Sequence, residues 1–217
     1  MARDFDGSGD NINFGSDASI DAFTPFTVAM WMRCDNGGSD VALCSKLDGL
    51  TAGWLVKISA AAEFVRFFRV YTGGVGEWFT TAGELNDGVR HHFALSHDGN
   101  PASSPVVYVD GVTRSVTNDA PTSGTLETEA GGSLIIGEDI IGDADFNGVV
   151  EHFAYDNAVW TAAQVNRHRW TGRKGGACVV QHPFYTTKTA NEGTGTATAT
   201  PTGTTVVSFP TPVQRAA

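Results

Sequence analysis

The chain has 217 residues, 41% of them hydrophobic and 18% charged, with a formal net charge of −10. This length and composition are typical of one folded domain with a sizeable core, and the acidic balance excludes a nucleic-acid partner, which needs clustered Lys and Arg. No apolar run approaches the roughly 20 residues of a membrane span, and no secretory signal is visible at the N-terminus.

Alternating apolar residues predict strands along most of the chain. The strand at 26–33 is apolar on both faces, with Met30 and Met32 on one and Trp31 on the other. Trp31 is expected in the core, although either face can point inward. Strands are predicted at 2–7, 11–15, 26–33, 42–46, 54–59, 64–71, 77–81, 133–137 and 149–155.

Two further segments, 87–99 and 106–111, each combine an apolar strand with a closing Asp-Gly pair. Phe93 and Leu95 share one face of the first strand and are predicted in the core. Asp and Gly tolerate the positive φ that tight turns require. This alternation of strand and turn is typical of an antiparallel all-β domain.

One short helix is predicted near 161–170. Thr161 can cap its start, the residues that follow are good helix formers, and Gly172 is a natural end.

Three cysteines, Cys34, Cys44 and Cys178, cannot all pair with one another. Buried free thiols are predicted, with a Cys34–Cys44 disulfide across the 36–39 turn as the alternative.

The segments from Asp87 to Gly99 and from Val107 to Gly111 resemble the signature of the laminin-G-like, concanavalin A-like jelly-roll family, roughly D-G-x-W-H-H-h-A-h-x-x-D-G followed by h-Y-V-D-G. The resemblance covers about residues 4–170. Arg90 departs from it, since the family has Trp there. The resemblance implies an all-β, two-sheet antiparallel jelly-roll sandwich with one short helix. It also implies that one sheet is concave and that its open side is where relatives bind sugars.

The sequence predicts two parts, a jelly-roll domain, 1–178, and a Thr/Gly/Ala-rich C-terminal arm, 179–217. Thr alternates with small residues in the arm, so it buries little apolar area and specifies its pairing weakly. The arm is predicted to dock on a sheet edge of a neighbouring subunit or of its own chain. Its predicted anchors are Val206, Val207 and Phe209.

No catalytic residues are predicted. Jelly-roll glycosidases carry their acids along one strand in an E-x-D-x-x-E arrangement, which is absent here. Glu127 and Glu129 are expected in a solvated loop, and Glu151 as a structural hydrogen-bond acceptor. His91 and His92 are adjacent on a strand, so they point to opposite faces and do not share a metal.

Two candidate sites remain. The 138–147 loop collects hard oxygen ligands of the kind that Ca²⁺ prefers, with Asp139, Asp143 and Asp145 as the candidate ligands, although no cofactor is required by the sequence. The aromatic residues nearest to loops, predicted to contact a ligand, are Trp54, Tyr71 and Trp78. Trp170, like Trp31, stands in a pattern typical of a core.

The favoured function is a non-catalytic binding or structural module displayed on a virion surface, such as a capsid decoration or tail accessory protein. Its partners would be glycans, further copies of itself or other virion proteins. The alternative is a secreted or cell-surface carbohydrate-binding module, and a jelly-roll glycosidase is the weaker third candidate. All three place the protein on a virion surface or outside a cell.

Overall fold

The computed structural model of the chain describes residues 2–35, 40–59, 63–83, 85, 88–139, 144–184 and 192–207. Within them lie sixteen strands and one α-helix. The strands are β1 (Ala2–Asp6), β2 (Asn11–Asn13), β3 (Phe26–Cys34), β4 (Val41–Asp48), β5 (Ala52–Ser59), β6 (Phe64–Tyr71), β7 (Gly74–Thr80), β8 (Arg90–His97), β9 (Val106–Val109), β10 (Val112–Arg114), β11 (Val116–Ala120), β12 (Ser133–Ile136), β13 (Asn147–Asp156), β14 (Val180–His182), β15 (Thr200–Thr202) and β16 (Thr205–Val207). The helix α1 spans Ala162–Thr171.

The strands form two antiparallel sheets that pack face to face, which confirms the predicted sandwich. Sheet A has the order β10-β9-β8-β3-β13-β1-β16, and β14 pairs with the far end of β13. Sheet B has the order β11-β7-β6-β5-β4-β12-β2-β15. Within the described part of the chain, no helix has the length and hydropathy to cross a bilayer.

The inner faces of the two sheets enclose one large apolar core. Phe93 and Leu95 are fully buried in it, as predicted. On β3 the inward residues include Met30 and Met32, so the expectation that Trp31 reaches this core is wrong. Because side chains alternate along a strand, Trp31 faces the outside of sheet A and is half-buried there.

The predicted turn chemistry is confirmed where β9 meets β10. Asp110 and Gly111 have φ values of 55° and 80° and link the paired ends of the two strands. Positive φ at both central residues of a two-residue turn matches the twist of a hairpin.

The helix α1 begins and ends as the sequence indicates. The Thr161 hydroxyl accepts a hydrogen bond from the Gln164 amide, and the Gln164 side chain accepts one from the Thr161 amide. Gly172 ends the helix at a φ of 69°.

Helix α1 lies over the outer face of sheet A and closes a second, smaller apolar cluster there. Alanines on three neighbouring strands have small side chains, which allow the helix and Trp160 to pack closely on this part of the sheet. The cluster contains Ala29, Ala94, Tyr108, Ala154, Trp160, Val165 and Cys178. We call this part of the outer face of sheet A, beneath α1 and Trp160, the covered face.

The described residues of the C-terminal arm join the chain's own sheets. Strand β15 pairs with β2 at the edge of sheet B, and β16 pairs with β1 at the edge of sheet A. Val206 lies opposite Arg3 and Val207 opposite Ala2, whereas Phe209 lies outside the described residues. This arrangement corresponds to docking on the arm's own chain. The division at residue 178 falls inside the core, which includes Val179, Val180, Phe184, Ala197 and Ala199.

All three cysteine side chains are buried, and none forms a disulfide. Cys34 lies on β3 of sheet A and Cys44 on β4 of sheet B, so the alternative disulfide between them is not formed.

Candidate functional site

The three aromatic residues predicted to contact a ligand lie inside the sandwich. Trp54, Tyr71 and Trp78 are 0%, 2% and 0% exposed. Trp54 stacks on Phe26 with ring centroids 4.8 Å apart, and Trp78 stacks on Phe67 at 5.6 Å. These rings offer no face to a ligand in solution, so the prediction of a surface contact is wrong for them.

The two tryptophans expected in the core have the opposite outcome. Trp170 is 71% exposed at the end of α1. Trp31 lies beneath the helix, where its Nε1 donates a hydrogen bond to the Arg169 carbonyl at 3.0 Å. Period-two and helical patterns identify apolar faces, but they do not say which face meets the core.

The residues that alternate with the buried aromatics form a surface that the sequence analysis missed. Strands β5, β6 and β7 lie side by side in sheet B, and every second residue points away from the core. No described element is stacked on this outer face, and its side chains stay half-exposed or exposed. We call it the open face; it consists of Leu55, Lys57, Phe64, Arg66, Phe68, Val70, Val75, Glu77 and Phe79.

The strand register arranges the open face in rows that run across the three strands. Each strand contributes one residue to a row, and in the two central rows apolar and charged side chains are neighbours. One row holds Leu55, Phe68 and Glu77, and the next holds Lys57, Arg66 and Phe79.

Arg66 is the central charge of the open face, and its position is fixed. Its Nε donates to Glu77 Oε1 at 2.8 Å, and a second guanidinium nitrogen binds the same oxygen. Asp40 Oδ2 lies 3.8 Å from Nη1. The guanidinium carbon is 5.2 Å from the centre of the Phe68 ring, within the range of a cation–π contact.

The phenylalanines of the open face are unusual for an outward position. Phe64 and Phe79 lie against each other with ring centroids 5.6 Å apart. Outward positions on an exposed sheet face are normally polar, since the hydrophobic set faces the core. Apolar patches left at the surface typically mark a binding groove or an interface.

The open face combines flat rings with fixed hydrogen-bonding groups. Arg66 and Lys57 are donors, and the carboxylate of Glu77 is an acceptor. A sugar ring has an apolar C–H face and a rim of hydroxyls, and this combination of groups complements both.

The predicted calcium loop borders the open face. Asp139 is 3% exposed, and its Oδ2 lies 3.1 Å from Lys57 Nζ. Asp145 Oδ2 accepts a hydrogen bond from the Gly9 amide at 2.9 Å, and Asp143 lies outside the described residues. In the described segments no three or more His, Cys, Asp or Glu side chains are grouped to hold a metal. Calcium binding here stays a prediction.

The covered face carries a polar network under α1. His92 Nε2 and His168 Nδ1 share a hydrogen bond of 2.9 Å. Burial lowers the pKa of His92 to about 3 and that of His152 to about 4. His91 instead donates to Asp110 at 2.8 Å, so the two adjacent histidines have separate structural partners.

Arg90 stands where the family has Trp, and its side chain packs against neighbouring residues of sheet A in place of that ring. Its guanidinium carbon lies 3.8 Å from the centre of the Trp31 ring. It also donates to Glu151 Oε1, so Glu151 is the structural acceptor that the sequence predicts. Burial lowers the pKa of Arg90 to about 10. The expectation that Glu129 is solvated is wrong, since it is 4% exposed.

Residues 6–166 match the family model Laminin_G_3, described as the concanavalin A-like lectin/glucanases superfamily. No curated protein sequence matches the chain.

Among solved structures, a candidate carbohydrate-binding protein from Bacteroides ovatus has 14% identity and a TM-score of 0.63, and the match covers 94% of this chain and 59% of that protein. The CBM40 of the Ruminococcus gnavus IT-sialidase, bound to alpha2,3 sialyllactose, has 12% identity and a TM-score of 0.54 over 74% of this chain and 91% of that one. Domains LG4-5 of mouse laminin alpha1 have 13% identity and a TM-score of 0.52, with 74% and 44% covered. At these identities the likeness is one of fold.

Proposed function

Because the chain belongs to the concanavalin A-like lectin/glucanases superfamily, we propose that it is a non-catalytic carbohydrate-binding module whose ligand lies on the open face of sheet B. The observation that carries the proposal is the set of outward phenylalanines, Phe64, Phe68 and Phe79, around the Arg66–Glu77 pair. A ligand with apolar and hydroxyl-bearing faces explains why rings and charges alternate there.

The geometry of Arg66 supports binding rather than chemistry. Two of its nitrogens hold one oxygen of Glu77, so both side chains are ordered before a ligand arrives. A preordered site costs less conformational entropy on binding. The rings of Phe64 and Phe79 are likewise held by each other.

We expect no glycosidase activity. Cleavage with retention needs two carboxyl groups about 5–5.5 Å apart around the scissile bond. Among the described residues that form the open face, Glu77 alone carries a carboxylate, and Arg66 holds it. Incubation with β-glucans, galactans and chitin should release no reducing ends above buffer. Release that is lost in Glu77→Gln would contradict the proposal.

The binding proposal is tested on an array of immobilised oligosaccharides that includes glucan, galactan and chitin fragments. The chain should bind at least one of them, and Phe68→Ala should weaken that binding about tenfold or more, as expected for loss of a central aromatic contact. Trp170→Ala is the matched control, because it removes a more exposed aromatic from the opposite side of the sandwich.

Two results would overturn the open-face proposal. One is the absence of binding to every oligosaccharide on the array by the folded wild-type chain. The other is binding that survives Phe68→Ala but is lost in Trp170→Ala.

Display on a virion surface, location outside a cell and assembly with further copies or other virion proteins stay predictions. The open face supports the binding role alone, and that role fits the virion-associated and the cell-surface alternatives equally.

A further inference from the structure

A surface cavity of about 350 Å³ lies on the side of the sandwich that carries α1, away from the open face. It is bounded by the end of the helix, the glycine-rich turn that follows, β14 and the 192–194 segment. Its walls are formed by Arg167, Arg173, Gly175, Gly176, Ala177, Cys178, Gln181, Glu192, Gly193 and Thr194. This volume is within the range of small-molecule sites.

The cavity wall carries a guanidinium with no partner among the described residues. Arg167 is exposed, and its side chain makes no hydrogen bond or ion pair with any of them, although its backbone carbonyl accepts a hydrogen bond from the Thr171 hydroxyl. Arg173 Nη2, by contrast, binds Glu192 Oε2 at 2.5 Å. The wall is therefore locally cationic by one charge, although the whole chain carries −10. A positive site in an acidic protein favours an anionic ligand.

The turn after the helix brings backbone close to this guanidinium. Gly175 and Gly176 have φ values of 79° and 96°. A Cβ on Gly175 would clash with the Arg167 side chain in its present position, so the glycine lets the backbone come close to the guanidinium. In the described part of the chain, the amide groups of Gly175, Gly176 and Ala177 donate no hydrogen bond, so they remain available to a ligand.

We propose that this cavity binds the carboxylate of an acidic sugar unit. The guanidinium of Arg167 matches a carboxylate through two parallel hydrogen bonds. The remaining polar groups, Gln181, Glu192 and Thr194, suit the hydroxyls of a sugar ring. The carboxylate of Glu192 disfavours a doubly charged phosphate but accepts hydrogen bonds from hydroxyls.

This inference does not rest on glycan binding at the open face, because the two sites lie on opposite sides of the sandwich. The test measures binding of D-glucuronate, D-galacturonate and N-acetylneuraminate to the full-length chain by calorimetry and NMR. D-Glucose, D-galactose, acetate and inorganic phosphate are measured beside them.

At least one acidic sugar should bind, and its neutral counterpart should bind at least about tenfold more weakly, since hydrogen bonds to charged groups are the strong ones. Arg167→Ala should weaken binding of the acidic sugar by a similar factor. The affinity of Arg167→Lys should lie between those of the wild-type chain and Arg167→Ala. Arg169→Ala, which removes the same charge from the same helix outside the cavity, and Phe68→Ala should leave binding unchanged.

The inference is overturned if no acidic sugar binds the folded chain at millimolar concentration, or if neutral and acidic sugars bind equally. It also fails if Arg169→Ala weakens binding as much as Arg167→Ala. Phosphate that binds through Arg167 while the sugars do not would replace the proposed ligand with a phosphoryl group. If Phe68→Ala loses binding to the oligosaccharide array but still binds uronate, the open face and the cavity are independent sites.

Discussion

The two sheets present outer faces of opposite character. On sheet A, outward alanines such as Ala29 and Ala94 make room for α1, and the helix buries Trp160. On sheet B, the outward positions of β5 to β7 carry phenylalanine, leucine and paired charges, and no described element is stacked on them. The same alternating strand pattern therefore produces a helix-docking surface in one sheet and a ligand-accessible surface in the other.

The difference shows how an aromatic ring outside the main core is stabilised. Trp31 is held by Arg90, which lies over its ring, and by the helix carbonyl that accepts its indole proton. Phe68 is half-buried as well and has a guanidinium beside it, but no described element lies over its outer side. A covered ring contributes to stability, whereas an uncovered ring is available to a partner.

The largest expected effect comes from removing the arm, which completes both sheets. Deleting residues 186–217 removes edge strands β15 and β16, together with the buried Ala197 and Ala199. We expect the truncated chain to aggregate or to lose its cooperative thermal transition, because edges of both sheets are left unpaired. Thermal melting followed by circular dichroism and light scattering measures this.

A truncated chain that melts like the full chain but no longer forms its oligomer would contradict that expectation. It would then favour the alternative in which the arm docks on a neighbouring subunit.

The second prediction concerns pH, and it rests on histidines that are buried under α1 and between the sheets rather than on the open face. Burial lowers the pKa of His92 to about 3 and that of His97 and His152 to about 4, from 6.5. Below about pH 6.5 the unfolded chain binds more protons than the folded one, so stability falls as the pH falls, by up to about 1.4 kcal/mol per pH unit for each histidine. Above that pH the contribution is fully present.

Urea unfolding at several pH values between neutrality and about pH 4 measures this slope. His152→Asn should flatten it, because Asn tolerates the φ of 52° at this position and does not titrate. Stability that stays constant over the window would show that these histidines are not buried as described.

The third prediction compares two aromatic truncations. Phe93→Ala, between the sheets, should lower the free energy of unfolding by about 3–5 kcal/mol. Trp31→Ala should cost less, about 1–3 kcal/mol, because that ring is half-buried and outside the main core. Denaturant unfolding of both variants checks the order. A larger loss for Trp31 would mean that the covered face, rather than the space between the sheets, dominates stability.

The smallest expected effect is that of calcium on the loop beside the open face. Lys57 already neutralises Asp139, so the ion should bind weakly there. Millimolar Ca²⁺ should raise the melting temperature slightly relative to chelator, because a ligand that binds only the folded state stabilises it. Asp145→Asn should abolish the rise. No difference between calcium and chelator would remove the calcium prediction.

Much of the fold could be predicted from local patterns. Strand β6 has the predicted bounds, 64–71, and α1 follows the Thr161 cap and the Gly172 stop. These elements depend on alternation, capping and turn residues, which are properties of neighbouring residues in the chain.

The site could not be located in the same way, because it depends on which face of a strand meets the core. In β6 the alternation separates Phe64 and Phe68 from Phe67 and Tyr71, yet both sets are aromatic. Packing against sheet A decides that Phe67 and Tyr71 are buried. The signal in the sequence is phenylalanine on both faces of one strand, since such a strand has an apolar outer face as well as an apolar inner one.

The contacts of Arg90 also could not be predicted from local sequence patterns. Its stacking on Trp31 and its hydrogen bond to Glu151 join three strands of sheet A that are far apart in sequence. The family position alone indicated a lost aromatic contact, whereas the structure replaces it with a cation–π contact.

The most direct test of the account is an NMR titration of the isotope-labelled chain with whichever oligosaccharide the array identifies. The account predicts that the ring signals of Phe64, Phe68 and Phe79 shift, together with the side-chain signals of Arg66, while the indole signals of Trp54 and Trp160 stay in place. Shifts confined to α1 and the strands beneath it, with the open-face rings unchanged, would contradict the assignment of the binding site to sheet B.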